Sequence, residues 1–188
     1  MNPVRSHSKI QKIYQAVCAD INRHCLVKGY EQGPGVNNFV PHDAMAAFAM
    51  ARQLTFDIRF DHYLVVAPEG HIYGYFFERL GLVTIEVVVP YPPDRLVLVD
   101  DLSVCRGKRV LIIEDDIISG RTLGLVVDAL RPHSPQELSL FLGHSREVQH
   151  LGNVPTGVQH IYLSEDACTL FSHDEMEKAF LKAFTGLG

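Results

Sequence analysis

The sequence predicts an α/β fold built on a mostly parallel central sheet flanked by helices. Apolar or β-branched runs at Tyr63–Ala67, Thr84–Val89, Arg109–Ile113 and Leu138–Leu142 alternate with helical patterns through the middle of the chain. That alternation is what a parallel sheet covered on both sides requires. Val110-Leu111-Ile112-Ile113 is apolar at every position, as a strand buried on both faces must be. Acids then arrive abruptly as Glu114-Asp115-Asp116, at the carboxyl end of the strand, where open α/β sheets bind their ligands.

Each element has its own signal. Ser8 with Gln11 reads as a capping box, and Ile10, Ile13, Tyr14, Val17, Ile21 and Cys25 mark one face of the helix that follows, which Gly29 would stop. Residues 30–41 are rich in Gly, Pro and Asn and read as a loop. An Ala- and Met-rich helix is expected over roughly 42–54, and Ile72–Leu80 is a helix closed by Gly81. Pro90-Tyr91-Pro92-Pro93 ends the strand at 84–89. Arg95–Val99 and Arg109–Ile113 follow as strands, then a helix after Thr122. Leu138–Leu142 and Val158–Leu163 are the last strands, and Ser172 with Glu175 opens a C-terminal helix whose Met176, Ala179, Phe180 and Phe184 face inward.

The 188 residues make one domain, with an ordinary soluble composition of 47% hydrophobic and 21% charged residues. A net charge of −5 argues against broad nucleic-acid binding. Nothing in the sequence is apolar for long enough to span a membrane, and the first residues lack a signal-peptide core. Cys18, Cys25, Cys105 and Cys168 show no Cys-x-x-Cys spacing. Free thiols and a cytoplasmic setting are therefore expected. The ten histidines have no metal-ligand spacing.

After the acids comes Ser119-Gly120-Arg121-Thr122, opening onto the apolar-periodic run from Leu123 to Leu130. A helix N-terminus favours phosphate, and carboxylates accept hydrogen bonds from sugar hydroxyls, so the pair suits a sugar phosphate. Two other readings share part of the pattern. A receiver domain also has an acid pair after a strand, but it needs about a hundred further residues, and only positions 123–188 follow here. A plain βα turn with solvated acids explains neither three consecutive acids nor the Ser-Gly-x-Thr.

The strand, the acid pair and Ser119-Gly-x-Thr122 resemble the signature of type I phosphoribosyltransferases. Leu98-Val99-Asp100-Asp101-Leu102-Ser103, with Gly107-Lys108-Arg109 leading into the strand, is similar to the corresponding segment of the hypoxanthine-guanine enzymes. The resemblance implies a single domain with a core over about 59–143 and a small hood from residues 1–58, 144–188, or both. It implies that Glu114 and Asp115 are the catalytic acid pair holding the ribose 2- and 3-hydroxyls, with Asp115-Asp116 as the alternative if the register slips by one. Ser119, Gly120, Arg121 and Thr122 would anchor the 5-phosphate. Pro68, Glu69, Gly70 and His71 would surround the pyrophosphate of phosphoribosyl pyrophosphate, with Mg²⁺ bound alongside the substrate. A nucleobase-like acceptor, a homodimer and no membrane or nucleic-acid partner complete the expectation, and Phe39 or Tyr162 could stack on the base. Glu69 stands where the family commonly has a cation. Ile118 stands where the 6-oxopurine enzymes have an aspartate, and isoleucine cannot move a proton. The connection from Pro90 to Leu102, where a mobile catalytic loop is usual, is short and has Arg95 as its only cation.

Overall fold

The computed structural model describes residues 3–30, 40–90, 94–144 and 148–187. Its six strands are β1 (His62–Ala67), β2 (Thr84–Val88), β3 (Val97–Leu98), β4 (Arg109–Glu114), β5 (Glu137–Leu142) and β6 (His160–Leu163). They form one sheet in the order β3-β2-β1-β4-β5-β6. Every neighbouring pair is parallel except β2 and β3. The stretch from Val89 to Leu96 is too short for a crossover, so β3 returns as an antiparallel edge strand. The mostly parallel sheet expected from the alternating pattern is thus present.

Alternation along the central strands sends side chains into two cores. Val65, Leu111, Ile113 and Phe141 face a layer formed by α1 (Pro3–Val27), α2 (Pro41–Gln53), α3 (His71–Arg79) and, beyond the short α5 (Ala167–Leu170) with α4 (Arg121–Leu130) on the opposite face, α6 (His173–Phe184). Phe48, Phe76, Phe77, Phe180 and Phe184 fill that layer. Leu64, Val66, Val110, Ile112, Leu140 and Leu142 face the other way, against Leu123, Val126, Val127 and Leu130 of α4.

In α2 every residue from Ala44 to Ala51 is buried, which small Ala side chains permit by letting neighbours approach closely. Helix α1 starts earlier than the Ser8 signal implied: Ser8 lies within the helix, so it is not its N-cap. At the other end the helix is closed by Gly29 at φ +88°, with Tyr30 N–H donating to the Cys25 carbonyl at 3.0 Å. The C-terminal capping box forms as expected, Ser172 Oγ accepting from Glu175 N–H while the Glu175 carboxylate accepts from Ser172 N–H. The cysteines are free thiols, and Cys18 and Cys25 lie in the α1 face as expected. No helix among the described residues is long and apolar enough to cross a membrane.

Strand order reverses between β1 and β4: from β1 the chain moves to β2, from β4 to β5 and β6 on the other side. The carboxyl ends of these two strands therefore diverge into a crevice, and the acid pair stands at its edge.

Candidate functional site

A cleft of about 660 Å³ opens at that reversal. Its walls are the turn after β1 (Pro68, Glu69), the start of the β2–β3 connection (Val89, Pro90), and the whole stretch from Glu114 to Leu123 after β4. Residues that are far apart in sequence thus meet in one cleft. Glu114, Asp115, Asp116, Ile118, Ser119, Gly120, Arg121 and Thr122 all line the cleft, as do Pro68 and Glu69.

Glu114 ends β4 and is buried. Its Oε1 accepts the Asp115 N–H at 3.0 Å, while Oε2 has no hydrogen-bond partner. Burial pushes this carboxyl well above the ordinary carboxylate range, and the charge of Asp115 adds to the rise. Glu69 is also pushed up, first by burial and further by Asp115, against its own backbone N–H. Three carboxyl groups therefore share one field, with Asp116 beside them accepting the Ile117 N–H on Oδ1 at 2.7 Å. Against these four acids, Arg121 is the single basic side chain of the described lining.

The phosphate end is built on α4. Gly120 is its N-cap in the left-handed region, φ +72°, and offers no side chain to cap the helix. Beyond the Arg121 N–H, the N–H groups of the first turn are left for a ligand or water to meet. Ser119 Oγ accepts the Arg121 N–H at 3.3 Å, fixing the approach to the helix. Beneath the loop runs a segment that sequence reasoning did not single out. Asn153 donates from Nδ2 to the Ile118 carbonyl at 2.6 Å. A Cβ on Gly120 would lie 2.0 Å from the Asn153 carbonyl oxygen. No local signal marks Asn153, because its role depends on a chain reversal more than thirty residues after the loop.

The turn after β1 departs from the expectation in one part. Gly70 and His71 are not lining residues. Gly70 packs under the turn: a Cβ there would lie 2.3 Å from the Val66 carbonyl oxygen and 2.7 Å from that of Ile113. Its N–H donates to Val66 at 2.9 Å, and His71 N–H donates to the Pro68 carbonyl at 3.2 Å. The His71 side chain is fully buried on the far side, with Nε2 3.3 Å from Glu86 on β2. His71 is the first residue of α3, and its imidazole lies against Glu86 and the rings of His24 and Tyr30. Burial lowers its pKa, against the pull of Glu86.

Of the two aromatic residues considered for base stacking, Tyr162 packs toward Phe60, outside the cleft lining, and Phe39 lies outside the described residues. Residues 145–147 also lie outside them. Gly143 itself has a packing reason, since a Cβ would strike the Tyr73 ring at 2.0 Å.

An oxygen-rich lining with the buried, unpartnered Glu114 Oε2 suits a hard cation such as Mg²⁺. Among the described residues no group of three or more His, Cys, Asp or Glu is arranged to hold a metal by itself. Mg²⁺ would thus fit as a companion to ligand oxygens.

No family model matches the chain, and no curated protein matches it. Solved structures do resemble it. A purine phosphoribosyltransferase from Pyrococcus horikoshii Ot3 is 21% identical, covering 65% of this chain and 81% of its own, with a TM-score of 0.49. A hypothetical protein from Neisseria gonorrhoeae with bound ppGpp is 17% identical over 73% of this chain and 91% of its own, TM-score 0.48. The AQ2163 protein from Aquifex aeolicus is 10% identical over 87% of this chain and 84% of its own, TM-score 0.50. The likeness to the Aquifex protein is one of fold alone.

Proposed function

We infer that the cleft binds phosphoribosyl pyrophosphate, and that the chain transfers its 5-phosphoribosyl group to a nitrogen of a nucleobase or related acceptor, releasing pyrophosphate. The observation that carries this reading is a juxtaposition. The acid pair at the end of β4 and the Ser119–Thr122 loop on the α4 N-terminus line one cleft, at the point where strand order reverses. In it, Glu114 and Asp115 would hold the ribose 2- and 3-hydroxyls. Ser119, Gly120 and Thr122 would take the 5-phosphate, with Arg121 supplying its opposing charge. The C1–oxygen bond to pyrophosphate breaks as the bond from C1 to the acceptor nitrogen forms, and the nitrogen's proton leaves to solvent. Positioning and charge neutralisation supply most of the catalysis in such a reaction. Mg²⁺ bound with the substrate would neutralise the departing pyrophosphate. A homodimer in the cytoplasm completes the proposal, and sedimentation would test the dimer.

A second reading has an observation in its favour. Glu69 lines the pyrophosphate end, and Ile118, 58% exposed, offers no proton carrier beside the base position. Both fit a regulatory module that binds phosphoribosyl pyrophosphate and no longer transfers it. Calorimetry with phosphoribosyl pyrophosphate and Mg²⁺, beside Asp115→Asn, tests the shared pocket. Weaker binding in the variant supports it, and no binding by the folded wild type refutes it. Pyrophosphate release with a panel of nucleobases then separates the enzyme from the module.

A further inference from the structure

The end of the cleft nearest C1 of a bound sugar is built differently from its phosphate end. The phosphate end offers the first turn of α4, whose N-cap Gly120 has no side chain, and Arg121. The C1 end offers Glu69, and the N–H groups of Gly70 and His71 are spent on the Val66 and Pro68 carbonyls rather than left for an anion. Gly70 sits close under the turn, where an added Cβ would lie 2.3 Å from the Val66 carbonyl oxygen and 2.7 Å from that of Ile113. The histidine that could have supplied a donor is turned away to Glu86. Deeper in the same cleft, the buried Glu114 Oε2 lacks a hydrogen-bond partner, so it is a second polar atom there for a ligand to meet.

Resting on the reading that Ser119–Thr122 hold a 5-phosphate and Glu114–Asp115 the ribose, we propose that Glu69 is a specificity-determining residue that makes the C1 end a donor subsite. The ligand class is a sugar 5-phosphate carrying a hydrogen-bond donor at C1, such as an anomeric hydroxyl, which enters without metal. A phosphate or pyrophosphate at C1 enters only as its divalent-cation complex, because a carboxylate close to a phosphate is strongly repulsive at the effective dielectric of a protein cleft. Ground-state selectivity thus lies in one side chain, and transfer chemistry, if present, waits on the cation.

Ribose 5-phosphate and ribose 1,5-bisphosphate differ only at C1, which makes them the probes. Calorimetry of the full chain at about pH 8, well above the ordinary carboxylate range, is run without divalent cations and then with Mg²⁺. Ribose 5-phosphate is expected to bind without metal, with the bisphosphate and phosphoribosyl pyrophosphate weaker by about tenfold or more. Added Mg²⁺ should close that gap. Glu69→Gln should narrow it without metal, and Glu69→Lys should reverse it; circular dichroism checks that both variants fold. A bisphosphate that binds wild type as tightly as ribose 5-phosphate without metal, or a gap unchanged in Glu69→Gln, overturns the role of Glu69 and leaves the sugar-phosphate pocket standing. Silence of the folded wild type toward all three ligands overturns the pocket itself, and this proposal with it.

Discussion

Asn153 reaches across the fold to donate a 2.6 Å hydrogen bond from Nδ2 to the carbonyl of Ile118, in the middle of the loop that leads into α4. This bond fixes the loop from below, because Ile118 has no regular-structure partner in a segment between β4 and the helix. Asn153→Ala should lower stability only modestly, by about 1 kcal/mol, as expected for one hydrogen bond near the surface. Its larger effect should fall on the affinity for ribose 5-phosphate, since the loop that would hold the phosphate loses its brace. Asn153→Asp, which places an acceptor against the carbonyl, should be worse than Ala. Calorimetry and chemical denaturation measure the two effects separately, and equal affinity in all three proteins would refute the brace.

Two glycines permit close backbone approaches beside the cleft, for different reasons. Gly120 combines φ +72° with a contact that a Cβ could not tolerate, 2.0 Å from the Asn153 carbonyl oxygen. Left-handed backbone alone costs a residue with a Cβ about 1–2 kcal/mol, and the obstructing atom is backbone, which cannot rotate away. Gly120→Ala should therefore destabilise by about 2–4 kcal/mol. Gly70 has ordinary backbone angles, and its requirement is purely steric, set by the Val66 and Ile113 carbonyl oxygens. Gly70→Ala should cost a similar amount, and urea midpoints with unchanged m-values would confirm both.

The buried Glu114 predicts a pH dependence with a definite sign. Its folded-state pKa is raised above the ordinary value of 4.5, first by burial and then by Asp115. The folded protein therefore holds the proton more tightly than the unfolded chain. Stability from this group is fully present below the unfolded pKa and is lost as pH rises through the folded one. At neutral pH the carboxyl is a liability kept at the site. Glu114→Gln should raise Tm relative to wild type at about pH 7, and the advantage should vanish below about pH 4, while sugar-phosphate affinity falls. A Tm difference independent of pH would contradict the assignment.

What the sequence revealed follows the range of its signals. β4 and the Glu114–Thr122 stretch were legible because every constraint there is local: four apolar positions, abrupt acids, then turn residues and an amphipathic helix. The antiparallel turn of β3 was not, since it depends on the length of a connection and the edge it leaves. Ser8 misled because a capping box inside a longer helix looks the same in sequence as one at its start. His71 was misplaced for a related reason: adjacency to Gly70 suggested the cleft, but as the first residue of α3 its side chain follows the helix away from the turn and finds Glu86, on a strand 15 residues later. Asn153 and Glu86 act through contacts that only the assembled sheet makes.

That Glu86 cluster carries the last prediction. Glu86 is buried on β2, where Tyr30 Oη donates to it at 2.5 Å, His71 Nε2 is 3.3 Å away and Lys28 Nζ 3.7 Å away. Burial works against its charge, but the Tyr30 hydroxyl, His71 and Lys28 together outweigh burial and lower its pKa. The linkage is opposite in sign to that of Glu114. Stability from Glu86 is present above the unfolded carboxyl pKa and is lost as pH falls through the depressed folded one. Glu86→Gln keeps the shape and removes the charge, so it should destabilise at neutral pH by about 1–3 kcal/mol and converge on wild type in acid. The Tyr30, Lys28 and His71 groups lie at the end of α1 and the start of α3, away from the cleft lining. The same variant should therefore leave ribose 5-phosphate affinity within about twofold of wild type, and a larger loss would show that the cluster positions the turn carrying Glu69.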